Sequence, residues 1–393
     1  YPCLLMAASA SAQNTMTSSP YSMFGLGEMA SGLYGQNTSM AGVTVGMREG
    51  ILMNIENPAG LTALDSCKLF AEASAFVKNE RYRSDGSSSN AFTGNFSAFS
   101  LGGRIMRRWY MSAGVTPYSF VGYYFKSSQE LEGSPGTFVT STFSGTGGLS
   151  KAFLSQGFSL TKHLSVGMNL NFIFGNMTLN EIQSAMTVSR EMSGRSFYAD
   201  FGLQYHRPIA RETFLTVGAI YGYKQRISLK NTVTVTGSST ETPYNQKRVT
   251  QYLPQYIGIG SSLAHKKWTY ALDYLFRQYG VLNSSDSRVK FRDSHELRLG
   301  VCYFPNGFSS SSYWKRMSYK AGVSVSTPYL RLKGQSGGAY RVSVGLGLPV
   351  LNGRINTAFY YDRLQLQGNA LRRDIMGFTV TYTLSEKFYQ VKL

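Results

Sequence analysis

Residues 268–277, WTYALDYLFR, put Trp268, Tyr270, Leu272, Tyr274 and Phe276 on one face of an extended strand and Thr269, Ala271, Asp273 and Arg277 on the other. The last run of the chain repeats the pattern, with Met376, Phe378, Val380, Tyr382 and Leu384 opposite Ile375, Gly377, Thr379, Thr381 and Thr383. A face that is aromatic along its whole length needs an apolar environment, and composition decides which. Of the 393 residues 14% are aromatic, including 27 Tyr and 24 Phe, and only 15% are charged. A soluble domain carries roughly 25% charged residues. No run approaches the ~18 consecutive apolar residues of a membrane helix, since even Leu164 to Gly175 is broken by Asn and Gly. Strands whose lipid and lumen faces alternate keep mean hydropathy near neutral, and here it is −0.17.

Outward from that stretch, strand-like runs alternate with two kinds of break. Short basic turns fall at residues 104–107, 161–163, 207–212, 265–267 and 351–353. Longer polar stretches lie between them, at 79–90, 127–136, 179–195, 228–246, 281–293, 334–338 and 367–372. Short and long connections in turn are the plan of an outer-membrane barrel. One turn departs from it, because Pro305 to Lys315 is long for its expected side. About fourteen strands result, the first starting near Cys67 and the last near Asp374. Open edges cannot be satisfied in hydrocarbon, so the sheet must close. The fold read here is all-β, a transmembrane antiparallel barrel of about fourteen strands with an N-terminal plug in its lumen. A soluble β-sandwich is the alternative.

The front of the chain adds a compartment. An apolar run ending in Ala10-Ser11-Ala12 reads as the tail of a secretory signal over residues 1–12, with the mature chain beginning near Gln13. The net charge of +18 would suggest nucleic acid in a cytosolic protein. In an exported chain it suggests anionic lipid headgroups or an acidic ligand, or simply solvated basic turns. Cys67 and Cys302 read as free thiols, because two distant cysteines are no disulfide framework.

Catalytic and cofactor motifs give little. Gly25 to Ala30 matches G-x-G-x-x-A in letters but lacks the flanking strand and helix of a dinucleotide site. His163, His206, His265 and His295 show no paired-ligand spacing, and no G-x-S-x-G elbow is present. The sequence therefore predicts no cofactor, no metal and no enzyme. What stands out is the stretch from Gln13 to Ser66, rich in Gly, Ser, Met and Ala with little alternation, too apolar for a disordered tail and unsuited to spanning strands. It is expected to be a plug domain over 13–66, ahead of a barrel over 67–393. Within it, Asn57-Pro58-Ala59 predicts a helix start, with Asn57 as N-cap and Pro58 in the first turn.

With those residues on the page, the sequence resembles the FadL/TodX family of outer-membrane transporters of hydrophobic compounds. An Asn-Pro-Ala hatch before a fourteen-stranded barrel is that family's plan, and Ser19 to Met29 (SPYSMFGLGEM) is similar to the opening of its members. The resemblance implies passive uptake of long-chain fatty acids or other hydrophobic small molecules across a Gram-negative outer membrane, with lateral release through a kinked third strand. Gly114, Pro117 and Tyr118 are the candidates for that kink. The same Thr-Pro-Tyr triplet recurs at Thr242 and Thr327, so Pro117 reads either as a kink or as a strand end. Phe24, Leu26, Leu33 and Tyr34 are candidates to line an apolar ligand site, and equally candidates for plug core. Nothing in the sequence singles out one of the 39 basic residues to pair an acidic headgroup. The expected partners are a hydrophobic ligand, outer-membrane lipids and, in the rival reading of a structural subunit in a larger secretion or assembly complex, other envelope proteins.

Overall fold

In a computed structural model the alternation becomes a closed wall; the described residues are 19–30, 35–84, 87–130, 136–184, 186–237, 241–283, 289–305, 312–332, 335, 337–366 and 372–387. Residues 1–12, read as a signal remnant, lie outside them. Fourteen spanning strands are present among the described residues. They are β1 Lys68–Ser84, β2 Ser87–Met106, β3 Trp109–Glu130, β4 Phe138–Ser159, β5 Leu164–Gln183 and β6 Met186–Ala210. Next come β7 and β8, each in two pieces (Thr213–Gly222 with Gln225–Thr236, and Glu241–Leu253 with Tyr256–His265), then β9 Trp268–Arg277 and β10 Ser294–Tyr303. The wall ends with β11 Ser318–Ser326, β12 Gly337–Val350, β13 Gly353–Leu366 and β14 Arg372–Lys387. All neighbours are antiparallel, and β14 closes on β1 from Lys387 opposite Lys68 to Arg372 opposite Arg83.

The faces fall as the period of two requires. On β9, Tyr270 and Leu272 point outward at 50% and 42% exposure, while Ala271 and Asp273 are buried inside. On β14, Met376, Phe378 and Val380 point outward, and Thr379, Thr381 and Thr383 inward. The polar stretches 79–90, 179–195 and 228–246 are not long loops: their described residues are paired strand, with Leu179 opposite Arg190 and Val233 opposite Tyr244. These extensions bury Tyr82, Leu229 and Val233 inward and turn Arg81, Arg83 and Lys230 outward, so they lack the apolar outer face that marks a strand in the membrane. At the short-turn end the long Tyr303 to Ser318 connection carries a short helix, Tyr313–Arg316. Across the other mouth a small ribbon forms between Val289–Phe291 and Leu330–Leu332.

The segment before β1 folds against the inward faces of the strands. Its regular pieces are short 3₁₀ helices, of about one turn at Pro20–Met23 and Thr38–Met40 and of about two turns at Pro58–Ala63, and a two-residue strand at Glu28–Met29. Glycines in the wall make room for it. A side chain at Gly167 would overlap Pro58 and Ala59, one at Gly202 Asn57, one at Gly218 Val45, and one at Gly322 Met40. At these positions the inner segment lies directly on the wall.

Candidate functional site

The site is built around Asn57. Its backbone is extended (φ −120°, ψ 97°), and its side-chain oxygen accepts from the Ala59 N–H at 3.2 Å, with Pro58 occupying the first helical position. The Asn57 amide nitrogen donates to Val45 O at 2.8 Å and to Leu203 O of β6 at 3.2 Å, so one fully buried side chain caps the 3₁₀ helix and ties it to the wall. Other inward polar residues do the same for a segment with little secondary structure of its own. Gln204 of β6 donates to Val45 O and Met47 O, Asn169 of β5 to Ile55 O, and Ser262 of β8 to Gly46 O. Asp273 of β9 accepts from the N–H groups of Thr44 and Val45 at 2.7 and 2.9 Å. Buried backbone groups must be paired, and here the wall supplies the partners.

Charge fixes the middle of the segment. Glu296 receives Arg277 at 2.7 Å and Arg298 at 2.8 Å, and Glu56 receives the same two arginines at 3.3 and 3.2 Å. Arg298 also donates to Gly42 O at 2.7 Å and is 1% exposed. Two guanidinium groups and two carboxylates thus hold the loop around Glu56 from β9 and β10.

Above this floor lies a chamber of ≈110 Å³ lined by Met29, Tyr118, Lys151, Asp200, Tyr256 and Arg277 among others. Engineered cavities of ~150 Å³ hold a benzene ring. The chamber therefore has room for about one small ring or one headgroup. On its other side a buried apolar cluster of Leu26, Met29, Val121, Leu149, Ile173 and Leu229 fills the barrel. Lys151 forms no hydrogen bond or close ion pair among the described residues, and it lines the chamber with Asp200 and Glu56. Asp200 is itself engaged by Asn171 at 2.6 Å and by Asn169. Burial pushes the Tyr279 phenol, just beyond β9, above its ordinary range, so this chamber residue stays neutral.

Beside the chamber the wall parts. β2 and β3 pair from Met106 opposite Trp109 up to Phe99 opposite Val115, and above that, among the described residues, they do not. Pro117 has no N–H to give to a ladder. On its other edge β3 slips register between Pro117 and Ser119, which leaves Tyr118 as a bulge facing the chamber. The edge that β2 vacates is taken by the inner segment: Glu28 pairs with Phe120 and Met29 with Ser119. Ala30 N–H donates to Tyr118 O at 3.0 Å, and Gly122 N–H donates to Ser22 Oγ at 3.0 Å. Glu28 is held by Arg373 of β14. Behind the gap Phe120 meets Phe76 of β1 with ring centroids 6.5 Å apart. Its outer lip carries Phe92, Phe96 and Phe99, all more than half exposed.

The residues named from the sequence are distributed as follows. Asn57, Pro58 and Ala59 form the cap just described. Pro117 and Tyr118 sit in mid-strand at the bulge, which disposes of the strand-end reading, and Gly114 lies in the regular paired part below, where a side chain would overlap Phe99 O. Leu26 belongs to the apolar cluster and Phe24 is half-buried, whereas Leu33 and Tyr34 lie outside the described residues. Sequence reasoning missed Lys151, Asp200, Tyr256, Arg277 and Arg298 as site residues. The signal was available, since ionisable residues at inward positions of a spanning strand are functional candidates by default.

Comparison with known proteins gives the following. A family model described as BamG matches residues 1–392. No curated protein matches the chain. Among solved structures it is similar to the Ralstonia pickettii toluene transporter TbuX, at 14% identity and a TM-score of 0.60, over 91% of this chain and 99% of that one. A Pseudomonas aeruginosa FadL homologue gives 11% identity and a TM-score of 0.61 over 92% and 100%. The P. putida toluene transporter TodX gives 16% and 0.59 over 91% and 99%. The fold is that of FadL-type barrels, as the resemblance implied, while the matching family model carries another name.

Proposed function

The chain belongs to the BamG family, and from that premise we propose that it is a channel of the Gram-negative outer membrane through which a hydrophobic small molecule passes from the loop-side mouth to the chamber and leaves sideways between β2 and β3. One observation supports this reading: the wall parts beside the chamber, at the bulge made by Pro117 and Tyr118, and the outer lip of the gap exposes Phe92, Phe96 and Phe99. The inner segment acts as a hatch. Glu28–Met29 is its movable strand, holding the gap shut through the ladder bonds to Ser119 and Phe120 and through Ala30 to Tyr118. The ammonium of Lys151 suits a carboxylate head, so an amphipathic acid fits the chamber better than a neutral hydrocarbon. No covalent chemistry and no cofactor enter this mechanism.

A cross-link tests it. Met29 and Ser119 are register partners, so Met29→Cys with Ser119→Cys in a Cys67→Ser background should form a disulfide that locks the gap. Uptake of a labelled long-chain fatty acid into whole cells should stop on oxidation and return on reduction. Equal uptake in both states would sink lateral release. That result would favour a second reading, a structural subunit of a larger outer-membrane assembly, which the dense stitching of the inner segment to the wall supports.

A further inference from the structure

We propose that the short-turn rim of the barrel is a collar for the headgroups of anionic phospholipids. Five of the six connections at that end carry exposed basic residues. They are Arg107 and Arg108 between β2 and β3, Lys162 between β4 and β5, Arg211 between β6 and β7, Lys266 and Lys267 between β8 and β9, and Lys315 between β10 and β11. Among the described residues none of these seven forms an ion pair, and the acidic residue in those turns is Glu212. The opposite mouth is different. There several arginines pair with carboxylates, as Arg341 does with Asp362 and Arg372 with Asp374, while others such as Arg83 form no ion pair among the described residues. Both ends carry exposed cations, but at the short-turn end the turns hold one carboxylate, Glu212, and the seven cations form a ring around the rim.

The height of the collar identifies its occupant. One step toward the membrane from these turns lies an aromatic belt: Trp109 stacks on Phe158 at 6.0 Å, and Trp268 meets Tyr303 at 4.5 Å. Trp and Tyr rings of this kind mark the boundary between hydrocarbon and headgroup. Cations directly outside that belt stand at the level of the phosphates and attract anionic lipid. The long connection between β10 and β11 follows the same plan, with Trp314 69% exposed beside Lys315 on the short helix. The cations are spread around nearly the full circumference, sparing the connection at Leu351 and Asn352. A folded protein would meet one arc of such a ring, whereas annular lipid meets all of it.

The test uses the whole folded barrel, equilibrated in mixed micelles of phosphatidylethanolamine and phosphatidylglycerol and read by native mass spectrometry. Phosphatidylglycerol adducts should exceed their share of the mixture several-fold. The combined variant Arg108→Gln, Lys162→Gln, Lys266→Gln and Lys267→Gln should bring them down to that share. Neutralising Arg83, Lys126 and Lys230 at the other mouth should leave them unchanged. Heat-modifiable migration on a gel confirms that each variant is folded. Equal retention of the two lipids, or enrichment that survives the rim variant, overturns the proposal. So does an envelope protein that co-purifies with the wild type and is lost from the rim variant without any lipid preference, an outcome that would give the collar to a protein partner instead.

Discussion

Replacing Asn57 with alanine should loosen the inner segment without opening the barrel wall. The substitution removes three hydrogen bonds: those from the side-chain nitrogen to Val45 O and Leu203 O, and the one accepted from Ala59 N–H. Val45 O keeps Gln204 as a partner, but the Ala59 N–H is left buried at a helix start with nothing to accept it. Losing such a cap costs about 0.5–2 kcal/mol, and each further bond about 1 kcal/mol. The total is about 3 kcal/mol, with every strand pairing of the wall left intact. Local opening of the segment should therefore become about 100-fold more frequent, since ~1.4 kcal/mol is a factor of ten. Hydrogen exchange followed by mass spectrometry of peptides covering residues 44–63 reads this directly, with peptides from β12 to β14 as the internal control. Acceleration of two orders of magnitude confined to the segment is expected. An unchanged rate there, or an equal rise in the β12 to β14 peptides, would refute the claim that Asn57 is the tie between segment and wall.

Further outcomes follow from other contacts. Gly167→Leu puts a side chain into the space of Pro58 and Ala59, so the segment should be displaced and planar-bilayer conductance should rise well above wild type while the barrel still migrates as folded. Lys151→Met should weaken binding of a fatty-acid carboxylate about 10-fold relative to its methyl ester, measured by tryptophan-quench titration or calorimetry, because a hydrogen bond to a charged group contributes ~1.5–3 kcal/mol. Arg298→Met leaves Glu296 and Glu56 buried with one guanidinium between them, and removing one partner of a buried pair costs ~3–5 kcal/mol; protease cleavage between Gly42 and Glu56 should become fast.

The wall was legible in the sequence because lipid imposes an environment on every second residue. Trp268 to Arg277 and Asp374 to Leu384 keep their two faces in the structure as they do on paper. The same rule explains the errors. Residues 79–90, 179–195 and 228–246 turn polar side chains such as Arg81, Arg83 and Lys230 outward and bury Tyr82, Leu229 and Val233 inward, so their strands lack the apolar outer face expected in lipid and look like loops. The Asn-Pro-Ala cap was readable because its chemistry is local, an Asn acceptor and a proline in consecutive positions. The chamber was not, because Glu56, Lys151, Asp200 and Tyr256 come from four separate elements and meet through closure of the barrel. Pro117 lay between these cases. Its effect on a ladder was predictable, but its place in mid-strand required the length of β3, which a repeated Thr-Pro-Tyr triplet obscured.

The two ends of the inner segment differ in how firmly they are held, and that difference bears on the route through the barrel. Freeing the part from Val45 to Thr62 means breaking the contacts of Asn57, Gln204, Asn169, Ser262 and Asp273, and then moving backbone that lies flush on Gly167, Gly202 and Gly218. With at least six hydrogen bonds at ~1 kcal/mol each, and the Arg298 to Glu56 pair besides, that opening is rare. Freeing Glu28 to Ala30 means breaking a two-residue ladder, one bond to Tyr118 O, one from Met29 N–H to the Tyr329 hydroxyl and the ion pair to Arg373, and taking Met29 out of the apolar cluster. The second motion is easier by several kcal/mol, and it uncovers the parted wall at Pro117 rather than the short-turn mouth. Under the proposed channel function, a molecule in the chamber would then meet its lowest barrier sideways, toward the membrane.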